Sequence, residues 1–203
     1  MSTDDFFDQA FHRSPVMVIL RGFAPDEAVR LAHRAWSSGI GVVEVPLQRP
    51  GDDDALAQIV AQTPPGCHTG AGTVTSPELA DRAAAAGASF TVAPGWDEQL
   101  YRYCAAHGVP QLPGVATPSE VQAAGRAGAS WLKAFPATVL GVDWFAAIRA
   151  PFPQVRLVAT GGIGAGNAAD YLAAGARVVS LGSSFAAIPA AQLAQITSIA
   201  MRG

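Results

Sequence analysis

The chain has 203 residues, half of them hydrophobic and 14% charged, with a formal net charge of −3. The charged share falls well below the roughly 25% of an average soluble domain, which leaves material for a large core and excludes a wholly disordered chain. The basic residues are spread along the chain, against a nucleic-acid partner, and no apolar run approaches the ~20 residues of a membrane span.

The N-terminus, Met1-Ser2-Thr3-Asp4-Asp5, lacks the basic head and apolar stretch of a signal peptide. The segment before Pro15 reads as an extra helix. Beyond it one grammar repeats: an alanine-rich stretch, a glycine, then a short apolar run. Glycine just past a helix is the left-handed cap, and the apolar run after it reads as a buried strand. Eight strands follow, at about 16–21, 42–47, 68–72, 89–93, 109–113, 130–135, 155–160 and 178–182. Pro25-Asp26-Glu27, Ser76-Pro77-Glu78 and Thr117-Pro118-Ser119-Glu120 mark helix starts, with proline in the first turn and a carboxylate at the positive end of the helix dipole. This pattern predicts an α/β fold, a single (β/α)8 TIM barrel over residues 1–203 with the N-terminal helix closing its bottom. An open doubly wound sheet is the alternative. Cys67 and Cys104 read as free thiols, and neither they nor the four histidines have metal-ligand spacing.

In such a barrel, chemistry belongs at the C-terminal strand ends. The thirteen basic residues include one lysine, Lys133. Strand parity places Trp131, Lys133 and Phe135 on one face and Leu132 and Ala134 on the other. Desolvation there lowers the amine pKa and frees its lone pair, so the amine can attack a ketone and form a Schiff base. Arginine cannot do this. The plainer reading is a salt-bridged or snorkelling lysine. Glu44, inside Val42-Val43-Glu44-Val45, is either an ion-pair partner of Lys133 or Arg21, or a general acid/base tuned by burial. Arg21 ends the first strand and suits a carboxylate; its plainer role is at the surface. Gly161-Gly162 ahead of a helix, with Gly182-Ser183 in the following loop, reads as a phosphate site. Asp52-Asp53-Asp54 is expected to cap the helix after the second strand. No dinucleotide fingerprint follows the first strand.

These residues resemble the class I 2-keto-3-deoxy-6-phosphogluconate/phosphogalactonate aldolases over nearly the whole chain. The likeness rests on Gly128-Ala129-Ser130-Trp131-Leu132-Lys133-Ala134-Phe135-Pro136-Ala137 with Gly141, and on Gly39-Ile40-Gly41-Val42-Val43-Glu44-Val45. It extends to Gly70-Ala71-Gly72-Thr73-Val74, Pro94-Gly95, Pro113-Gly114-Val115-Ala116-Thr117 and Gly161-Gly162-Ile163. The resemblance implies a metal-free, cofactor-free cytoplasmic trimer that cleaves a phosphorylated 2-keto-3-deoxy sugar acid to pyruvate and glyceraldehyde 3-phosphate. It implies Lys133 as the Schiff-base lysine and Glu44 as the proton shuttle. Thr73, Pro94 and Phe135 would surround the pyruvyl part, and Gly161, Gly162, Gly182 and Ser183 would hold the phosphate.

Pro46-Leu47-Gln48, where the phosphogluconate branch has Thr-Leu-Arg, resembles the phosphogalactonate branch, as does Ile19-Leu20-Arg21-Gly22. The carboxylate arginine would then be Arg21, with Arg49 as the competing candidate. Thr160 resembles the phosphogluconate branch instead, and its hydroxyl is placed to alter the C4 preference. The alternatives are a phosphogluconate or 4-hydroxy-2-oxoglutarate aldolase, a phosphate-handling barrel of other chemistry, and a non-catalytic phosphosugar-binding barrel.

Overall fold

The computed structural model describes residues 2–199. The strands are β1 (Val16–Ile19), β2 (Val42–Pro46), β3 (His68–Gly72), β4 (Thr91–Val92), β5 (Gln111–Leu112), β6 (Gly114–Val115), β7 (Trp131–Ala134), β8 (Arg156–Thr160) and β9 (Ala176–Leu181). All pairings are parallel, in the order β5-β4-β3-β2-β1-β9-β8-β7-β6. Eight of the nine strands fall at the eight expected ones. The fifth, expected to end at 113, is continued by the unexpected β6 past Pro113, which has no N–H to give a ladder. β5 pairs with β4 and β6 with β7, so one short segment spans the seam of a TIM-type barrel.

The helices are α1 (Thr3–Ala10), α2 (Pro25–Ser37), α3 (Asp52–Val60), α4 (Pro77–Ala85), α5 (Glu98–Ala106), α6 (Pro118–Arg126), α7 (Ala137–Leu140), α8 (Val142–Arg149), α9 (Ala168–Ala173) and α10 (Ala190–Thr197). The three proline-marked starts hold: Pro25, Pro77 and Pro118 each open a helix. Thr117 and Glu120 also close a reciprocal capping box. Asp52 departs from its expected role. Its carboxylate accepts the backbone N–H groups of Gln48 and Arg49, at 2.8 and 2.7 Å, and so ties down the loop entering α3. Asp53 pairs with Arg82 instead.

The core has two shells. Outward strand residues such as Val43, Leu132, Ala134 and Leu157 meet the helices. Inward residues Met17, Val42, Phe90, Leu112, Trp131, Val158 and Val178 fill the barrel with Phe6, Phe7 and Phe11 from α1 and its C-terminal end. The N-terminal helix thus plugs the bottom, as expected. Trp131 also donates its indole N–H to Asp8 at 3.2 Å, and Ser130 Oγ donates to Asp4 at 2.6 Å.

Candidate active site

Above the aromatic plug the interior turns polar. Two residues up each strand from Met17, Val42, Trp131, Val158 and Val178 stand Ile19, Glu44, Lys133, Thr160 and Ser180, which inherit the inward parity. Glu44 is fully buried and Lys133 is 1% exposed. Burial pushes the Glu44 carboxyl above its ordinary pKa, opposed by the positive charges of Lys133 and Arg21. Burial likewise holds the Lys133 amine below its ordinary value; Glu44 opposes this and Arg21 adds to it. Neither Glu44 oxygen accepts a hydrogen bond among the described residues. The two groups therefore act on each other through space, in surroundings that disfavour both charges.

The backbone explains these positions. The Lys133 N–H donates to the carbonyl of Pro113 at 2.8 Å, so the interrupted fifth strand anchors the lysine. Its Nζ lies 5.1 Å from the centroid of the Phe135 ring. The Glu44 side chain lies across Gly72 at the end of β3, where any Cβ would overlap its carboxylate. Gly72 is thus a positioning residue that strand parity alone did not reveal.

A cavity of about 290 Å³ opens at the barrel mouth. Arg21, Phe135, Thr160, Gly161, Gly162, Gly182 and Ser183 all line it, so seven of the expected site residues share one space. Glu44, Lys133, Thr73 and Pro94 are not among its lining residues. Thr73 directly follows Gly72, with a left-handed φ of 58°, and Pro94 packs against Gly114. Arg49 is turned away: it donates to the Phe23 carbonyl at 3.2 Å and sits 3.7 Å from Asp52.

The glycine loop is braced from behind. Asn167 accepts the Gly164 N–H at 2.9 Å and donates to the Gly162 carbonyl at 3.1 Å. Ser184 Oγ donates to the Ile163 carbonyl at 3.1 Å, tying the two mouth loops together. A Cβ at Gly162 would overlap Thr138. Ser180, also missed from the sequence, lines the cavity and accepts from the Thr160 hydroxyl at 3.1 Å. Among the described residues no group of three or more His, Cys, Asp or Glu side chains could hold a metal ion. Among the described residues no helix is long and apolar enough to cross a membrane.

The family model "Aldolase: KDPG and KHG aldolase" matches residues 7–200. A probable 2-dehydro-3-deoxy-6-phosphogalactonate aldolase of Rhizobium meliloti is 40% identical over 171 residues, covering 84% of this chain and 81% of that protein. A 2-dehydro-3-deoxy-phosphogluconate aldolase of Treponema pallidum is 35% identical over 199 residues, covering 96% and 94%. The solved KDPG aldolase of Legionella pneumophila, with pyruvate captured at low pH as a covalent carbinolamine intermediate, superposes with a TM-score of 0.83 at 30% identity, covering 93% of this chain and 97% of that one. The chain belongs to the KDPG and KHG aldolase family.

Proposed function

We propose that this chain is a class I aldolase cleaving 2-keto-3-deoxy-6-phosphogalactonate to pyruvate and glyceraldehyde 3-phosphate, with Lys133 as nucleophile and Glu44 as proton shuttle. The observation that carries this reading is the buried, mutually unbonded Lys133–Glu44 pair in the barrel interior. The neutral amine attacks the C2 ketone, and proton transfer and loss of water give an iminium ion. Glu44 takes the C4 hydroxyl proton as the C3–C4 bond breaks. The bonding electrons move into the iminium, leaving an enamine and releasing the aldehyde. Glu44 returns the proton to C3, and water frees pyruvate and the amine. Arg21 holds the substrate carboxylate, Phe135, Thr73 and Pro94 surround the pyruvyl portion, and Gly161, Gly162, Gly182 and Ser183 hold the phosphate.

The galactonate preference is supported by Arg21 bordering the cavity while Arg49 is bonded elsewhere. It is further supported by the likeness to the Rhizobium protein of that name. A second reading, the C4-epimeric phosphogluconate substrate, is favoured by the Thr160 hydroxyl in the same cavity. Cytoplasmic homotrimers belong to the same proposal, and a solution mass of three chains is the expected measurement.

Borohydride reduction in the presence of pyruvate, followed by mass spectrometry, should place a pyruvyl adduct on Lys133. With one lysine in the chain, the α-amine is the sole rival attachment point. Absence of an adduct at Lys133 overturns the nucleophile assignment. Cleavage rates of the two C4 epimers decide the branch.

A further inference from the structure

A second cavity, of about 620 Å³, lies at the opposite end of the barrel from the mouth loops. Its walls come from the end of α8, the segment entering β8, α9 and the start of β9. Arg149, Arg156 and Arg177 all border it, in a protein whose net charge is −3. Arg156 is already engaged: it lies 3.4 Å from Asp8 and donates to Ser130 Oγ at 2.8 Å. Arg149 and Arg177 form no ion pair with any described residue.

Two backbone features present Arg149 and Arg177. In the β8–β9 ladder Leu157 pairs with Ala176, but Val158 pairs with Val178, so the register skips Arg177. Such a bulge takes a residue out of the inward-outward alternation and re-aims its side chain. Arg149 lies across Gly175, where a Cβ would come within 2.6 Å of its Cδ and Nη1. Val155, Leu172 and Ala176 add buried apolar surface to the walls. Paired guanidinium groups match phosphoryl oxygens in geometry and charge, and the apolar surface suits a carbon substituent rather than a hydrated ion.

We propose that this cleft is a second ligand site, taking a small phosphate monoester with an apolar substituent. Arg149 and Arg177 would hold the phosphoryl group, and Val155 and Leu172 would receive the substituent. The test is calorimetric titration of the full chain with phenyl phosphate. The wild type should bind one more equivalent per chain than the Arg149→Ser, Arg177→Ser double variant, while the two turn over within twofold of each other. Inorganic phosphate is the second probe and should bind the extra site at least tenfold more weakly. Equal stoichiometry and affinity in wild type and variant overturn the site. Equal affinity for the two probes overturns the apolar half of the proposal. If the double variant does not fold, Arg177→Ser alone should weaken the extra site about tenfold, as expected for loss of a charge-assisted contact, and unchanged affinity counts against the proposal.

Discussion

The two halves of the barrel interior are built from the same strands and differ in what they leave unsatisfied. At the bottom, Phe7 and Phe90 meet edge to face at 5.8 Å, and Phe11 packs on Trp131 at 5.2 Å. The core cluster there is apolar, and the indole N–H that Trp131 carries is bonded to Asp8. Two residues further up, Glu44 and Lys133 are equally buried, yet the carboxylate has no hydrogen bond. An unpaired buried ionisable group costs stability. The plug supplies the well-packed apolar surface that offsets this cost, and the upper layer keeps its two ionisable groups out of water.

The largest expected effect comes from removing the contrast at Lys133. Lys133→Met, of similar length and without charge, should lower turnover by about 10⁴-fold or more, as loss of a covalent nucleophile does. With Glu44→Leu added, the melting temperature should equal or exceed that of the wild type, because replacing both members of a buried pair by hydrophobic groups is often neutral or stabilising. A melting temperature several degrees lower would mark Lys133 as a structural ion-pair partner.

Glu44→Gln should reduce kcat by about 10²–10⁴-fold, the range for a positioned acid/base, while the borohydride-trapped pyruvate adduct still forms. Its pH dependence gives a second readout. The folded carboxyl titrates above its ordinary value of 4.5, so over that interval the native state binds more protons than the unfolded state. Stability from this group is fully present below pH 4.5 and is lost as pH rises through the raised folded value. Denaturant midpoints should show the wild type losing ground to Glu44→Gln above pH 4.5. A constant difference would mean that the folded and unfolded carboxyls titrate alike.

At the other end, Phe7→Ala should cost about 3–5 kcal/mol of unfolding free energy, the usual range for deleting a buried phenylalanine. Urea titration measures it. Turnover per folded chain should stay within about twofold, since Phe7 packs two residues below the reactive layer. A specific loss of kcat in folded protein would show that the plug also sets the geometry above it.

Periodic features of this molecule were legible in its sequence, and pairwise ones were not. Alternation placed Lys133 with Trp131 and apart from Leu132, and proline with an early carboxylate marked three helix starts. The continuation past Pro113 was hidden because Val109 to Pro113 reads as one apolar run, and only pairing on both sides shows two strands. The roles of Gly72, Ser180, Asn167 and Ser184 were not legible because they depend on what a neighbouring strand or loop brings against them. Arg21 and Arg49 could be ranked only once Asp52 was seen to hold the loop carrying Arg49. Asp52 itself was read forward as a helix cap, and its carboxylate reaches back instead.

The smallest effect concerns the hydroxyl pair at the top of β8 and β9. Thr160 and Ser180 stand opposite each other in the ladder, buried and bonded through their hydroxyls. Both also line the cavity, so a substrate hydroxyl arriving there exchanges one neutral hydrogen bond for another. Such an exchange discriminates by about 1 kcal/mol, the net worth of one hydrogen bond. Thr160→Val keeps the shape and removes the hydroxyl. The ratio of kcat/KM for the galactonate over the gluconate epimer should therefore rise about fivefold. The pyruvate adduct, which involves no C4 group, should form at the wild-type rate. A shift in the adduct rate with an unchanged epimer ratio would instead assign Thr160 to the lysine and remove it from C4 selection.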